Sequence, residues 1–336
     1  MSEILAPCGA MESLTAAVNA GADAVYLGEE YFSARKNADN FTAEQLCDAV
    51  RFCHYSGVKV YVTLNTLVFD REIPLLAKVI ENCAKADVDA FIVQDMGVAR
   101  LSRQIVPELP LHASTQMTVN SPEGAIMAKE LGFTRVVLGR ELSFAQIKAI
   151  TESCDIETEL FVHGALCVCI SGQCYMSSVL GGRSGNRGLC AQPCRLDFTS
   201  GDRHNVLSLK DLSLTEKLPE LAKAGITSFK IEGRMKRPEY VAAAVCACRQ
   251  SLNGQTPDMA LLRSIFSRSG FTDGYFTGKF SNMFGSREKE DVIAAKDILP
   301  DIRKKYSHEK KSGKLDFYAE IKKDNPCLLY TSDAAD

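Results

Sequence analysis

The residues with the most evident chemistry are five cysteines that lie within one glycine-rich stretch between positions 159 and 195. Glycine lets the backbone between them bend around a compact object, and thiolates bind both zinc and iron–sulfur clusters. Zinc sites usually have a short C-x2-4-C pair at both ends, whereas only the second pair is short here. The spacing therefore favours an iron–sulfur cluster, with zinc as the alternative metal. Four of the cysteines share the spacing C-x6-C-x15-C-x3-C: Cys167, Cys174, Cys190 and Cys194.

The remaining cysteines have plainer interpretations. Cys169 is next but one to Cys167 in the tripeptide CVC, so its side chain is expected to point away from that of Cys167. Cys8 follows the first predicted strand and is either redox-active or a small residue at a turn. Five more lie in helical patterns among apolar neighbours and are expected to be small buried side chains: Cys47, Cys53, Cys83, Cys246 and Cys248.

Composition limits the class of protein. With 336 residues, 46% hydrophobic and 24% charged, the chain suits a globular protein of one large domain or two smaller ones. Its start, MSEILAPCGAMES, has neither the charged beginning nor the apolar core of a signal peptide, so the 13 cysteines predict a reduced, cytoplasmic protein. No apolar run approaches the length of a membrane span, and no membrane partner is expected. A net charge of −3 means that any contact with RNA requires a local basic patch.

Short aliphatic runs alternate with helical patterns eight times in the first 255 residues. Similar helix-to-strand joints recur, among them AGAD at 20–23 and LGFT at 131–134. This order predicts an α/β fold, a (β/α)8 TIM-like barrel with a long Cys/Gly-rich insertion after strand 7. A doubly wound open sheet is the alternative. The predicted strands are 4–6, 24–28, 58–64, 90–95, 111–115, 135–141, 157–162 and 228–234.

Active sites of such barrels form at the C-terminal ends of the strands. A single polar residue at such a position can simply be exposed to solvent. A complete ring of polar residues predicts an active site at the mouth of the barrel. The residues that follow the predicted strands are Cys8, Glu29, Glu30, Asn65, Gln94, Asp95, His112, Ser114, Gln116, Arg140, Glu141, His163, Glu232, Arg234 and Lys236.

Basic residues near the insertion and the eighth strand suit carboxylate or phosphate ligands. For the arginines of the insertion the alternative is a solvated surface balanced by Asp197 and Asp202. Proton transfer is expected from His163 or Glu232. The predicted substrate-binding residues are His112, Gln116, Arg183, Arg195, Lys230 and Arg234.

The run 159–177 matches the signature E-x-F-x-x-G-[SA]-[LIVM]-C-x4-G-x-C-x-[LIVM]-S of the collagenase-like peptidase U32 family at every constrained position. Similarity to the family extends over residues 3–255, through LAPCGAMESLTAAVNAGADAVYLG, NRGLCAQPCR and SLKDLSLTEKLPELAKAGITSFKIEGRMK. The later FSRSGFTDGYFTGK resembles the longer members that hydroxylate ribosomal RNA. Many members have cysteine after KDL, where this chain has Ser213. The resemblance therefore implies that the fourth ligand here is Cys194.

Two activities are implied by this resemblance. Some members are named as peptidases of unassigned mechanism, and others act in oxygen-independent hydroxylation of tRNA, rRNA or a quinone precursor. The hydroxylating members imply a 4Fe–4S iron–sulfur cluster supplied by the iron–sulfur assembly machinery. The RNA-acting ones imply prephenate, a small dicarboxylate, as the oxygen donor. We therefore expect an enzyme whose partner is RNA, either ribosomal or transfer.

A peptidase is the alternative function. The chain has five histidines and no HExxH motif, so a zinc peptidase of that type is not indicated. A Cys167–His163 dyad is the remaining proteolytic arrangement, although it leaves the other insertion cysteines unexplained. A structural zinc protein with a recognition role is the third possibility.

The predicted domain organisation places the barrel at residues 1–255, with the insertion at 164–213. Residues 256–312 form an irregular extension and a basic linker. An alternating strand in 313–327 begins a C-terminal β domain that is truncated, and 328–336 resemble a non-native tail.

Overall fold

The fold is a closed barrel of parallel strands, seen in a computed structural model that describes residues 2–35, 38–286 and 298–306. Each barrel strand is parallel to its neighbours, and the last one pairs with both the seventh and the first, which closes the ring. The predicted (β/α)8 barrel is confirmed, and the open sheet is wrong. The strands are β1 (Glu3–Pro7), β2 (Ala24–Leu27), β3 (Lys59–Leu64), β4 (Ala90–Val93), β5 (Leu111–Ala113), β6 (Arg135–Val137), β7 (Glu157–Gly164) and, as the eighth, β9 (Ser228–Ile231).

Helices follow the strands and start at residues that the sequence marks as caps. Thr42 and Ser143 each form a capping box with a glutamine three residues later, and Ser121 accepts a hydrogen bond from the Gly124 amide. The helices are α1 (Met11–Ala20), α2 (Ala43–Tyr55), α3 (Ile73–Lys85), α4 (Met96–Ile105), α5 (Pro122–Glu130), α6 (Phe144–Thr151), α7 (Met176–Gly181), α8 (Leu218–Lys223), α9 (Pro238–Leu252), α10 (Met259–Ile265), α11 (Gly274–Thr277) and α12 (Leu299–Tyr306).

Two different environments lie on the two faces of the barrel strands. Outward-facing aliphatic residues such as Val25 and Val60 join the main core, which the helices cover. The small inner cluster contains Tyr26 and Tyr61. The barrel is therefore apolar towards the helices and partly polar inside.

Two short strands extend the sheet beyond the barrel. β8 (Asp211–Ser213) pairs antiparallel with β7, and β10 (Phe271–Thr272) pairs parallel with β8. The sequence did not predict either of them. They tie the end of the insertion and the beginning of the extension to one side of β7.

The described part of the extension packs on the barrel. On α12, Arg303 is paired with Glu239 of α9 at 2.7 Å. The Asn19 amide of α1 donates a hydrogen bond to the Tyr306 carbonyl at 2.9 Å. The predicted β domain in 313–327 and the tail 328–336 lie outside the described residues, and the domain boundaries stay predictions. None of the described helices has the length and apolar character needed to cross a membrane.

Candidate active site at the barrel mouth

Two glycines fix the insertion against the C-terminal ends of the barrel strands. Gly164 ends β7 with φ +113°, and a Cβ there would lie 2.6 Å from the Glu232 carbonyl oxygen. Gly172 has φ +82°, and its Cβ would lie 2.5 Å from the Gln116 carbonyl oxygen. Both positions combine a left-handed backbone with a close approach that only glycine permits. The insertion therefore begins directly over the mouth.

One arginine of the insertion holds it to the barrel, and another joins its two ends. Arg187 donates two hydrogen bonds to the Glu72 carboxylate, at 2.6 and 2.8 Å. Arg195 donates to the carbonyls of Leu166 and Leu209, which lie near the two ends of the insertion. Arg195 was predicted to bind substrate, and in the structure its guanidinium donates to the backbone of the insertion. Arg183 donates to the Leu189 carbonyl at 3.1 Å within the insertion itself.

The predicted ligand thiols lie in one neighbourhood. Burial raises the pKa of the Cys194 thiol, Arg195 acts against this, and the thiols of Cys167, Cys190 and Cys174 raise it further. Such an electrostatic influence requires proximity. Cys169 is also close, because Cys174 and Cys167 contribute to its raised pKa after burial.

Hydrogen-bond donors already face two of these sulfurs. Arg140 Nη2 donates to Cys167 Sγ at 3.2 Å, and the Gln192 amide donates to Cys190 Sγ at 3.4 Å. Cys167 and Cys190 are exposed. In chemical type the donor set fits an iron–sulfur cluster. In geometry the side chains as placed do not converge: within residues 2–35, 38–286 and 298–306, no three or more His, Cys, Asp or Glu side chains are grouped to hold a metal ion.

Three arginines surround the Glu232 carboxylate beside the thiols. Burial alone would raise the pKa of Glu232, but Arg35, at 2.8 Å, and Arg140 lower it to about 2. Burial and the neighbouring Arg35 lower the pKa of Arg234 to about 10, which still leaves it protonated at neutral pH. With Glu141 added, arginines still outnumber carboxylates by three to two. The mouth therefore favours an anion.

On one side of the mouth, the strand ends carry buried polar atoms that have no hydrogen-bond partner among the described residues. Buried polar groups are nearly always paired, and leaving one unpaired costs about 1–3 kcal/mol. Their position after β3, β4, β5 and β6 indicates that a ligand or water is bound at this side of the mouth. The atoms are Thr66 Oγ1, Gln94 Oε1, Gln116 Oε1 and Arg140 Nε.

His163 lies to the side of the mouth. The pairing of β7 with β9 shifts register between Phe161 and His163. The ring packs against Tyr240 and Phe271, with centroid distances of 5.7 and 5.2 Å, and Nδ1 is 3.4 Å from Ser213 Oγ. Burial lowers the pKa of His163 to about 4. Ser213, which replaces a family cysteine, thus contacts this histidine.

The predicted substrate residues Lys230 and His112 lie inside the barrel. Lys230 Nζ donates to Glu159 Oε1 at 2.6 Å and sits 4.3 Å from the Tyr26 ring centroid. The His112 ring packs edge-on against Tyr61 at 4.8 Å, and burial lowers its pKa, followed by the charge of Arg135. Cys8 is fully buried, and burial raises its pKa. A buried thiol of this kind is unreactive.

Arg35 is the residue of this site that the sequence did not reveal. It lies well beyond the end of β2 and carries no pattern of its own. The segment returns to the mouth because Asn65 Oδ1 accepts a hydrogen bond from the Ala34 amide at 3.0 Å. This long-range contact, together with the hydrogen bond of Ser33 with Thr63, brings Arg35 to Glu232.

Comparisons with known proteins agree on the family. A model of peptidase family U32 matches residues 9–283. A 23S rRNA 5-hydroxycytidine synthase of Escherichia coli is 40% identical over 290 residues, which are 84% of this chain and 44% of that protein. The tRNA hydroxylation protein P1 of Bacillus subtilis is 38% identical over 270 residues, covering 76% of this chain and 64% of that protein.

A third relative and a solved structure have different names. A collagenase of Porphyromonas gingivalis is 36% identical over 334 residues, 88% of this chain and 80% of that protein. The solved structure of a U32 peptidase superposes with a TM-score of 0.51 at 17% identity, over 71% of this chain and 95% of the other, and supports the fold alone. The chain spans less than two thirds of the length of the two RNA-related proteins, 44% and 64%.

Proposed function

Because this chain belongs to peptidase family U32, we propose that it is an enzyme that hydroxylates a base of ribosomal or transfer RNA without molecular oxygen, using an iron–sulfur cluster. The proposal depends chiefly on one observation: a thiol-rich insertion lies against a mouth with excess arginine and with buried polar atoms that no described residue pairs. The relatives named for rRNA and tRNA hydroxylation supply the substrate class.

Cys167, Cys174, Cys190 and Cys194 would hold the cluster, which supplies one-electron transfer when bound. The chain itself contributes hydrogen bonds to the ligand sulfurs. The Arg140 guanidinium and the Gln192 amide already donate to Cys167 and Cys190. Hydrogen bonds to the ligand sulfurs are one of the ways in which a protein tunes the reduction potential of a bound cluster.

The arginine group suits a co-substrate with two carboxylates, such as prephenate. Guanidinium groups bind carboxylates through paired hydrogen bonds. Arg140 Nε has no hydrogen-bond partner within the part of the chain that the structure describes, and the Arg35 side chain is 35% exposed. A pKa of about 2 keeps Glu232 ionised at neutral pH. We therefore assign Glu232 to positioning Arg35 for the ligand.

RNA is proposed to approach over the outer face of the insertion. Tyr175 is 57% exposed there, and an exposed tyrosine ring provides a stacking surface for an unpaired base. Arg183 is exposed in the same segment and Arg237 at the start of α9. These positive charges supply the local basic patch that an acidic chain requires.

Anaerobic purification tests the cofactor. We expect a coloured protein with iron and inorganic sulfide, and we expect Cys194→Ser to lose most of its iron. Cys154→Ser is the matched control because Cys154 is a half-buried cysteine outside the insertion. A colourless protein with one zinc per chain would refute the cluster.

Nucleoside mass spectrometry tests the reaction. RNA from a strain that lacks this protein should lose one hydroxylated base, and the wild-type gene should restore it. Arg140→Ala should not restore it, whereas Arg100→Ala should, because Arg100 is an exposed arginine on α4. Unchanged RNA hydroxylation in the deletion strain would refute the proposed activity.

A peptidase is the second candidate, favoured by the collagenase relative, which this chain covers over 80% of its length. A Cys167–His163 dyad needs a histidine that can accept a proton near neutral pH. The pKa of His163 is lowered to about 4 by burial, and its contacts are with Ser213, Tyr240 and Phe271. Gelatin cleavage by cluster-free protein, abolished by Cys167→Ser, would favour the peptidase.

A further inference from the structure

A cavity of about 790 Å³ lies between the first turns of α1 and α9 and beside α12. The backbone of the loops after β1 and β9 divides this cavity from the mouth. A Cβ at Gly9 would lie 2.0 Å from the Arg234 carbonyl oxygen, so these two loops are in direct contact. The Arg234 side chain leaves in the other direction and donates to Thr63 Oγ1 at 2.8 Å. The cavity is therefore separate from the arginine group at the mouth.

Two helix starts present backbone N–H donors to this cavity. The N-cap positions of α1 and α9 are Ala10 and Arg237, and no described side chain caps either helix. Each uncapped start is equivalent to about half a positive charge. The Arg234 side chain is directed to the mouth, so the charged side chains left at the cavity are three acidic and two basic: Glu12, Asp39 and Glu239 against Lys236 and Arg303. The two helix starts offset this net negative charge, and their backbone N–H groups are the donors available to an anionic group.

An independent observation comes from Glu239, which lines the cavity in the first turn of α9. Its side chain is 1% exposed, and one carboxylate oxygen accepts a hydrogen bond from Arg303 Nε at 2.7 Å. The other oxygen, Oε2, is buried and has no partner among the described residues. A buried carboxylate oxygen needs a donor. A ligand that carries an anionic group can supply this donor as a hydroxyl group.

We propose that this cavity binds the ribose phosphate of a ribonucleotide, with phosphate at the starts of α1 and α9 and a ribose hydroxyl donating to Glu239. Phosphate at a helix start together with a carboxylate on a ribose hydroxyl is the general chemistry of nucleotide recognition. A volume of about 790 Å³ is sufficient for one nucleotide. The ligand is either a free nucleotide or one unit of an RNA strand.

Isothermal titration calorimetry on the full chain tests this with adenosine 5′-monophosphate, its 2′,3′-dideoxy analogue and a short oligoadenylate. The measurement does not depend on hydroxylation, so its failure is separate from that of the proposed function. We expect the dideoxy analogue to bind about tenfold more weakly, and Glu239→Ala to remove that difference. Tighter binding of the oligonucleotide assigns the site to RNA, and equal binding assigns it to the free nucleotide.

Ala10→Asp provides a variant that keeps the fold. Ala10 has an extended backbone, φ −156° and ψ 166°, which aspartate adopts as an N-cap. The variant should melt at a higher temperature yet bind nucleotide about tenfold more weakly, because its carboxylate occupies the anion position. The control Gln255→Glu adds the same charge beyond the far end of α9, about 22 Å away. Equal affinity of both variants, or equal affinity for the dideoxy analogue, would overturn the proposal.

Discussion

Replacing Glu159 by glutamine tests whether the first residue of the family signature stabilises a charged group inside the barrel. The Glu159 side chain is 0% exposed and accepts hydrogen bonds from Lys230 at 2.6 Å and from Arg135 at 3.2 Å. In the variant, Arg135 keeps Glu3 and Glu157 as partners, whereas Lys230 loses its carboxylate. Removing one member of a buried pair costs about 3–5 kcal/mol. We expect a loss of that size in the free energy of unfolding at pH 7.

The matched control is Glu157→Gln, on the same strand and bonded to the same arginine. The Glu157 side chain is 53% exposed, and its oxygen lies 2.8 Å from Arg135. Solvent screens such a pair, so its loss should cost about 0–1 kcal/mol. Urea unfolding followed by circular dichroism measures both variants.

The pH dependence gives a second test of the same reasoning. Burial lowers the pKa of Lys230 in the folded protein below 10.5, although Glu159 acts against this. The unfolded chain then binds more protons than the folded one, so stability rises with pH up to about 10.5. Removing Glu159 lowers the folded pKa further and makes this rise steeper. Lys230→Met in the Glu159→Gln background should recover much of the loss at pH 7. A Glu159→Gln variant as stable as Glu157→Gln, with the same pH profile as the wild type, would refute the argument.

Three further predictions concern the insertion and its surroundings. Gly164→Ala should lower the free energy of unfolding, measured by denaturant titration, by more than about 2 kcal/mol, because φ is +113° and the Glu232 carbonyl oxygen would lie 2.6 Å from Cβ. Gly182 has φ +64° but open space around its Cβ position, so Gly182→Ala should lower the free energy of unfolding by only about 1 kcal/mol. Equal losses in the two variants would contradict the close approach of Gly164 to Glu232. The His163 pKa of about 4 against 6.5 predicts that stability falls by about 3 kcal/mol as pH drops from 6.5 to 4. His163→Phe should abolish that part of the profile, and an unchanged profile would contradict it. Arg187→Ala should speed amide hydrogen exchange in the insertion because it breaks both hydrogen bonds to Glu72. Arg183→Ala loses one local hydrogen bond and should leave the exchange rates unchanged. Similar exchange rates in the two variants would contradict the anchoring role of Arg187.

Local signals were sufficient to predict the barrel. Strand and helix alternation, the cap residues Thr42, Ser121 and Ser143, and glycines at helix ends all act over a few residues. Their agreement along the chain specifies the order of elements, and the right-handed crossover rule then restricts the topology. The thiol-rich insertion was identifiable for the same reason, since its spacing and signature are contiguous in sequence.

Roles of individual charged residues were not predictable in this way. From the sequence, Lys230 and Arg195 were predicted to bind an anionic substrate. In the structure, Lys230 pairs with Glu159 inside the barrel, and Arg195 joins the two ends of the insertion. Arg35 had no signal and lies beside Glu232 at the mouth. In each case the deciding partner is distant along the chain.

The sequence by itself therefore determined the fold class, the family and the segment that carries the thiols. The tertiary structure decided which charges are available to a ligand. Lys230 and Glu159 are 71 positions apart, and Arg35 and Glu232 are 197 apart. A charge is neutralised or left free by whichever opposite charge folding brings within about 4 Å of it. Sequence patterns of period 2 or 3.6 carry no information about partners at that separation.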